Sequence, residues 1–265
     1  MLKFNIDPIL VHLGPLAISW YGLAVATGIL VGAWLTTREA ARKGLPVEPI
    51  MDLMVWIAVG GVVGARLLYV LDRWDFFVKN PFQILAINTG GLSIMGAILG
   101  GALTGALLAW RRGLPIRRLF DTFAPGIVLG QAIGRFGCLF TGDTLGRPTD
   151  GTWGIVYLNP MARAPQLGVA YQPAFFYEQL WDVLVFAIVW RLRKRITADG
   201  QLFALYLGLY AVGKFVITFV RLDPVYVWGL QQSHFVALAL LAFAIGWGLW
   251  GRASARGLGT PKLSS

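Results

Sequence analysis

The sequence predicts an all-α polytopic membrane protein: seven transmembrane helices with a small extracytoplasmic head inserted between the fourth and the fifth. Three observations predict it. Hydrophobic residues make up 57% of the chain and charged residues only 14%, against about 25% charged in soluble domains. Apolar runs recur that approach the roughly 20 residues a membrane-crossing helix needs. Basic residues gather in alternate connections between those runs, which is the pattern that orients helices in a bilayer. The length fits one integral domain over residues 1–265, with 141–172 as an insertion within it.

Residues 1–14 read as a short amphipathic lead at the membrane surface. They mix Lys3, Asp7, Pro8 and His12 with apolar residues. No basic n-region precedes a compact apolar stretch, so a cleavable signal is not expected. The first span runs from about Leu16 to Thr36, with Ser19, Trp20 and Tyr21 near its start and Arg38, Arg42 and Lys43 after it. The second covers about Ile50 to Leu71 and holds Arg66. A loop from about Asp72 to Thr89, rich in Trp74, Phe76, Phe77 and Phe82, is expected at the interface. The third span, about Gly90 to Trp110, is dense in glycine and is followed by Arg111, Arg112, Arg117 and Arg118. Glycines at spacing four, Gly60 with Gly64 and Gly101 with Gly105, suit close helix packing.

The fourth span, about Leu119 to Phe140, contains Asp121, Pro125 and Arg135. The polar insertion that follows includes Gly154-Ile155-Val156-Tyr157, an alternating piece that suggests a partly β head. The fifth span, about Pro173 to Trp190, carries Glu178 and Asp182 and ends in Arg191, Arg193, Lys194 and Arg195. The sixth, about Leu202 to Val220, contains Lys214 and leads into Arg221. The seventh runs from about Ser233 to Trp250, before Arg252, Arg256 and Lys262. Basic residues therefore follow spans one, three, five and seven, which predicts the N-terminus outside and the C-terminus in the cytoplasm. The Gly134 stretch and the insertion then face outward.

A net charge of +10 fits this sidedness and attraction to anionic lipid, without any need for nucleic acid as a partner. One cysteine, Cys138, excludes an internal disulfide, and two histidines, His12 and His234, leave no basis for a transition-metal site. Neither a metal nor another cofactor is expected.

Gly134-Arg135-Phe136-Gly137-Cys138-Leu139-Phe140-Thr141-Gly142-Asp143-Thr144-Leu145-Gly146-Arg147 stands apart. It closes an apolar run, yet it carries an arginine near the run's end. Such a residue costs roughly 2.5–3.5 kcal/mol at hydrocarbon depth on insertion scales, so it is rare and usually functional. Arg66, Lys214 and Arg221 are the other basic residues at or near membrane depth; Asp121, Glu178 and Asp182 are the acids. Snorkelling to the interface is the plainer reading of Arg221. Glu178 and Asp182, four apart, share one helical face suited to a basic residue on a neighbouring span. Arg66 and Asp121 suit a structural pair. A cationic pocket in an apolar wall suits a phospholipid head group held by its phosphate.

The Gly134 stretch resembles the signature of the prolipoprotein diacylglyceryl transferases, Gly-Arg-x-Gly-Asn-Phe-x-Asn-x-Glu-x-x-Gly. Gly134, Arg135, Gly137 and Gly146 keep it; Cys138, Leu139, Thr141 and Asp143 replace Asn, Phe, Asn and Glu. The resemblance covers nearly the whole chain. Trp20-Tyr21-Gly22-Leu23 and Gly64-Ala65-Arg66-Leu67 match motifs of the first two spans, and Tyr177-Glu178 matches the fifth. Gly90-Gly91-Leu92-Ser93-Ile94-Met95-Gly96 matches the start of the third, with Met95 at the family's histidine. Tyr210, Lys214 and Arg221 follow the sixth-span pattern, with Lys214 for arginine and Thr218 for glutamate.

The resemblance implies an enzyme of a bacterial cytoplasmic membrane. Such enzymes transfer the diacylglyceryl group of phosphatidylglycerol to the lipobox cysteine of a preprolipoprotein signal peptide and release glycerol 1-phosphate. It implies Arg135 and Lys214 as catalytic cations, with Tyr21 and Tyr210 orienting the head group. Gly137, Cys138, Asp143, Gly146, Ser93, Met95, Gly96 and Arg221 would line the substrate site, with Arg66, Asp121 and Glu178 in supporting roles. Met95, which cannot take a proton, together with Cys138 and Lys214, motivates one alternative: a divergent paralogue with another lipid donor or acceptor. A lipid transporter without chemistry is the other alternative, though the charges cluster outward rather than at the midplane.

Overall fold

The structure is a computed structural model that describes residues 1–14, 16–85 and 91–257. The expected start of the third span at Gly90, the end of the interfacial loop and Lys262 lie outside the described residues. The chain forms two compact units, one of Met1–Thr36 with the chain from Phe120 onward, the other of Thr37–Leu119.

The second unit is built on α2 (Val47–Asp72) and α4 (Ile94–Arg111). They pack antiparallel through glycine. A Cβ on Gly64 would lie 2.8 Å from the Gly100 Cα, and one on Gly101 3.3 Å from the Ile57 carbonyl. Gly60, by contrast, faces Thr104. Small residues let the backbones meet where lipid supplies no hydrophobic drive. Gly64→Leu is expected to force the pair apart at a cost of about 1–3 kcal/mol. A melting temperature in detergent lowered by about 5 °C or more would register it. Ser93 caps α4 by accepting the Gly96 N–H at 3.5 Å.

Between these helices run α3 (Trp74–Lys79) and a 3-10 turn (Pro81–Leu85). Arg66 holds this segment down. Its Nε donates to the Ile84 carbonyl at 2.8 Å, its Nη1 to Gly91 at 2.9 Å, and its Nη2 to Gln83. The guanidinium also lies 5.4 Å from the Phe77 ring centroid and 5.7 Å from that of Tyr69.

In the first unit, α1 (Trp20–Arg42) meets α5 (Ile116–Gly134) at two glycine pairs. A Cβ on Gly28 would stand 2.6 Å from the Gly130 carbonyl, and one on Gly32 2.7 Å from that of Gly126. After Arg135 the chain resumes as α6 (Phe136–Thr141), and α7 (Ala174–Leu192), α8 (Gln201–Thr218) and α9 (Gln232–Gly257) complete the helices. Ala124, Val128, Val185, Val189, Leu202 and Phe203 form the buried core. The start of α8 lacks a cap of its own because Gly200, at φ +87°, precedes it. Asp121 of α5 supplies one, accepting the Gly200 and Phe203 N–H groups at 2.7 and 2.8 Å. An acid at a helix N-terminus satisfies orphan donors and the dipole together.

Among the described residues, six helical stretches are long and apolar enough to cross a membrane: Trp20–Arg42, Val47–Asp72, Ile94–Arg111, Ile116–Thr141, Gln201–Thr218 and Gln232–Trp250. The expected fifth span, α7, is not among them, because Glu178, Asp182 and Arg191 interrupt its 19 residues. The described residues also include short sheets, one of them where the alternating piece of the insertion suggests it. β1 (Leu2–Phe4) runs parallel to β4 (Ile155–Tyr157), which pairs antiparallel with β5 (Ala170–Tyr171). β2 (Ile9–Leu13) and β3 (Leu16–Ser19) form a hairpin, as do β6 (Val225–Val227) and β7 (Leu230–Gln231). Much of the N-terminal lead is therefore strand, and the first helix starts at Trp20 rather than Leu16. Partners for Leu2–Phe4 lie in the insertion, beyond the reach of a local reading.

Candidate active site

The expected fourth span breaks at Arg135, between α5 and α6. α6 ends at Gly142 in the left-handed region, φ +68°, where a side chain would press on the Tyr157 ring at 3.2 Å. Gly137 is needed for a different reason: a Cβ there would lie 2.8 Å from the Tyr21 Cα. Tyr21 and the buried Cys138 consequently pack in one cluster with Leu145, Ile155, Tyr157 and Tyr171. Burial first, then the charge of the Asp143 carboxylate, push the Tyr157 phenol up. It stays neutral and donates to the Leu139 carbonyl at 2.8 Å. Thr141 donates to Asp143 at 2.9 Å, fixing that acid beside α6.

Arg135, Lys214 and Arg221 converge on one carboxylate. Glu178 Oε2 takes Arg135 Nη1, and its Oε1 takes Lys214 Nζ at 2.9 Å and Arg221 Nη1 at 3.1 Å. The Glu178 side chain is only 4% exposed. Its neighbour one turn along α7, Asp182, is equally buried and lies 3.8 Å from Arg135 Nε. Arg221 has a further partner in Asp223, with Nε–Oδ2 at 2.7 Å and Nη2–Oδ1 at 3.3 Å. Burial pulls the Arg221 guanidinium down, but Asp223 and Glu178 outweigh it and raise the group above its ordinary value. Arg135, Glu178, Asp182, Tyr210, Lys214 and Trp181 line a cavity.

The backbone explains why Arg221 reaches the cluster from beyond the end of α8. Gly146 bridges Arg221 as in an antiparallel ladder, Arg147 donates to the Val220 carbonyl at 3.1 Å, and Leu222 to that of Leu145 at 3.1 Å. A Cβ on Gly146 would meet the Val220 carbonyl at 2.9 Å, so the signature glycine admits this strand. Gln231 adds a bond from its Nε2 to the Arg221 carbonyl at 3.0 Å. Thr218, at the family's glutamate position, turns inward to the Lys214 carbonyl at 2.6 Å.

Of the residues singled out from sequence, Tyr21, Asp121, Arg135, Gly137, Cys138, Asp143, Gly146, Glu178, Tyr210, Lys214 and Arg221 belong to the first unit. Arg66, Ser93, Met95 and Gly96 belong to the second. Met95 is 42% exposed in the first turn of α4, and Gly96 is buried against Gly64. Sequence reasoning missed Trp181, Asp223 and Gln231. Asp223 had a weak signal, an acid two residues after a membrane-depth arginine; Gln231 had none.

Three cations held on one buried carboxylate, with Asp182 and Asp223 beside them, form a charge cluster next to the Gly134 stretch.

A family model described as prolipoprotein diacylglyceryl transferase matches residues 8–250. A protein of Nostoc sp. named phosphatidylglycerol–prolipoprotein diacylglyceryl transferase is 36% identical over 252 residues, covering 92% of this chain and 88% of its own. Proteins of the same name from Synechococcus elongatus and Bacillus cereus are 38% and 36% identical. They cover 90% and 91% of this chain, and 85% and 90% of their own lengths.

Proposed function

This chain belongs to the prolipoprotein diacylglyceryl transferase family, and from that membership we infer that it carries out the first step of lipoprotein maturation. It is a transferase whose substrates are phosphatidylglycerol and a prolipoprotein. The lipobox cysteine thiol of the signal peptide attacks the lipid glycerol carbon that bears the phosphodiester. A C–S bond forms, the C–O bond to phosphate breaks, and glycerol 1-phosphate leaves while the thiol gives up its proton.

The observation that carries this reading is the convergence of Arg135, Lys214 and Arg221 on Glu178, beside the signature segment. The nucleophile arrives with the substrate, so the site has to hold a phosphodiester and stabilise charge on it as it departs. Arg135 is assigned to the phosphate and Lys214 to a second positive charge without a fork. Tyr21 and Tyr210 orient the head group through their hydroxyls. Gly137, Cys138, Asp143 and Gly146 shape the wall. Arg221, tied to both Asp223 and Glu178, holds the cluster together more than it moves.

The multi-pass chain is read as lying in a bacterial cytoplasmic membrane with seven spans, α7 joining the six apolar helices as the fifth in order. A helix with buried acids crosses lipid when cations of the same protein neutralise them. Residues 141–172 form the extracytoplasmic head, with the N-terminus outside and the C-terminus in the cytoplasm.

The test is a reconstituted assay with phosphatidylglycerol vesicles and a lipobox peptide. Thioether-linked diacylglyceryl peptide, identified by mass spectrometry, is expected. Its absence, with lipid and peptide shown competent by a relative, refutes the reading. The pH profile adds a second expectation. Met95 accepts no proton, and a thiol of pKa about 8.5 costs only about 1.4 kcal/mol to ionise at pH 7.5. A cationic site lowers that cost further. The rate is therefore expected to rise with pH to about 8 or beyond; a bell centred near 6.5 would show that a histidine-like base operates.

A further inference from the structure

Asp182 is the group in the site that the phosphate reading leaves without a task. Its side chain is 3% exposed and lines the cavity with Arg135, Glu178, Tyr210 and Lys214. Among the described residues its Oδ2 accepts no hydrogen bond. The nearest cation, Arg135 Nε at 3.8 Å, is too far for a hydrogen bond. Glu178 Oε2 likewise accepts no hydrogen bond of good geometry, but Arg135 Nη1 lies directly against it, and Lys214 and Arg221 hold its Oε1. A buried carboxylate oxygen with spare capacity is costly unless something donates to it.

We propose that Asp182 selects the donor lipid by accepting a hydrogen bond from a hydroxyl of its terminal glycerol. The proposal rests on the phosphatidylglycerol reading of the site and names the residue that recognises the head group. Spacing fits it. Asp182 follows Glu178 by four residues on α7, about 6 Å along the helix axis. A phosphate engaged by Arg135 beside Glu178 would place the glycerol hydroxyls, a few bonds further on, at the next turn. A carboxylate there accepts from a hydroxyl and repels a second phosphate in the same place. A site built around a substrate hydroxyl rejects the analogue that lacks it, since the buried acceptor is then stranded.

Donor competition reads this directly. Vesicles containing phosphatidylglycerol and an equal amount of phosphatidyl-1,2-propanediol or phosphatidyl-1,3-propanediol, each one hydroxyl short, are offered with the lipobox peptide. The released glycerol phosphate and propanediol phosphate are counted. The ratio depends on relative kcat/KM and not on the amount of folded enzyme. The wild type is expected to prefer phosphatidylglycerol by about 10- to 100-fold over one of the two analogues. In Asp182→Ala the preference is expected to fall to about 2-fold or less, and Asp182→Asn, which keeps an acceptor oxygen, to lie between. An Asp182→Ala enzyme with the wild-type ratio overturns the proposal. So does a loss equal for all donors and confined to low pH, which would make Asp182 a proton acceptor. Wild-type enzyme that forms no product from phosphatidylglycerol alone overturns the function reading instead, so the two failures are separable.

Discussion

Arg135→Ala is expected to lower diacylglyceryl transfer by about 10³-fold while the protein still inserts into the membrane. Two consequences of its position lead there. Arg135 sits between α5 and α6, its side chain 19% exposed against 15% for Lys214 and 14% for Arg221. It is therefore the cation of the trio best placed to exchange a carboxylate oxygen for a phosphate oxygen. Removing it also strips Asp182 of its nearest cation, whereas Glu178 retains Lys214 and Arg221. Breaking a buried pair from one side costs about 3–5 kcal/mol, so a stability loss accompanies the kinetic one. Arg135→Lys separates them. It restores charge without the fork and is expected to recover stability while remaining about 10- to 100-fold slow. Product formation at the wild-type rate by Arg135→Ala, measured per inserted molecule, would remove Arg135 from the mechanism.

Glu178→Gln is expected to have an equally large effect on stability. The substitution keeps the shape and leaves three cations facing a neutral amide. With about 3–5 kcal/mol lost, the melting temperature in detergent is expected to fall by about 6–15 °C. Transfer is expected to fall by about 100-fold, because Arg135, Lys214 and Arg221 no longer share one anchor. A control distinguishes loss of charge from general damage. Glycerol phosphate supplies an anion to the same cations, and a ligand that binds only the folded state stabilises it. Its stabilising shift should be larger in Glu178→Gln than in the wild type. An unchanged melting temperature and rate would mean that the three cations do not depend on this carboxylate.

The broad class was legible because it rests on sums and local patterns. Few charges and long apolar runs mark helices that lipid will accept whatever their neighbours do. The i, i+4 spacing of Glu178 and Asp182 placed both acids on one face, and both lie against Arg135. The Gly64–Ala65–Arg66–Leu67 match marked a glycine that packs against α4 and an arginine that holds the 3-10 segment. The strands in the lead at residues 1–14 are hidden from the sequence for the opposite reason. Its strand β1 pairs with Ile155–Tyr157, and nothing in the periodicity of a three-residue strand announces a partner so distant.

By itself the sequence determined the membrane class, the approximate helices and the residues too charged to be idle at membrane depth. Those properties follow from composition and from neighbours along the chain. Only the tertiary structure decided that Glu178 joins three cations, that Asp182 keeps an oxygen without a donor, and that Gly146 admits the strand carrying Arg221. Each depends on atoms a few ångströms apart contributed by segments far apart in the chain. Charge and hydrogen-bond satisfaction in a buried site are settled by those distances, not by order along the sequence.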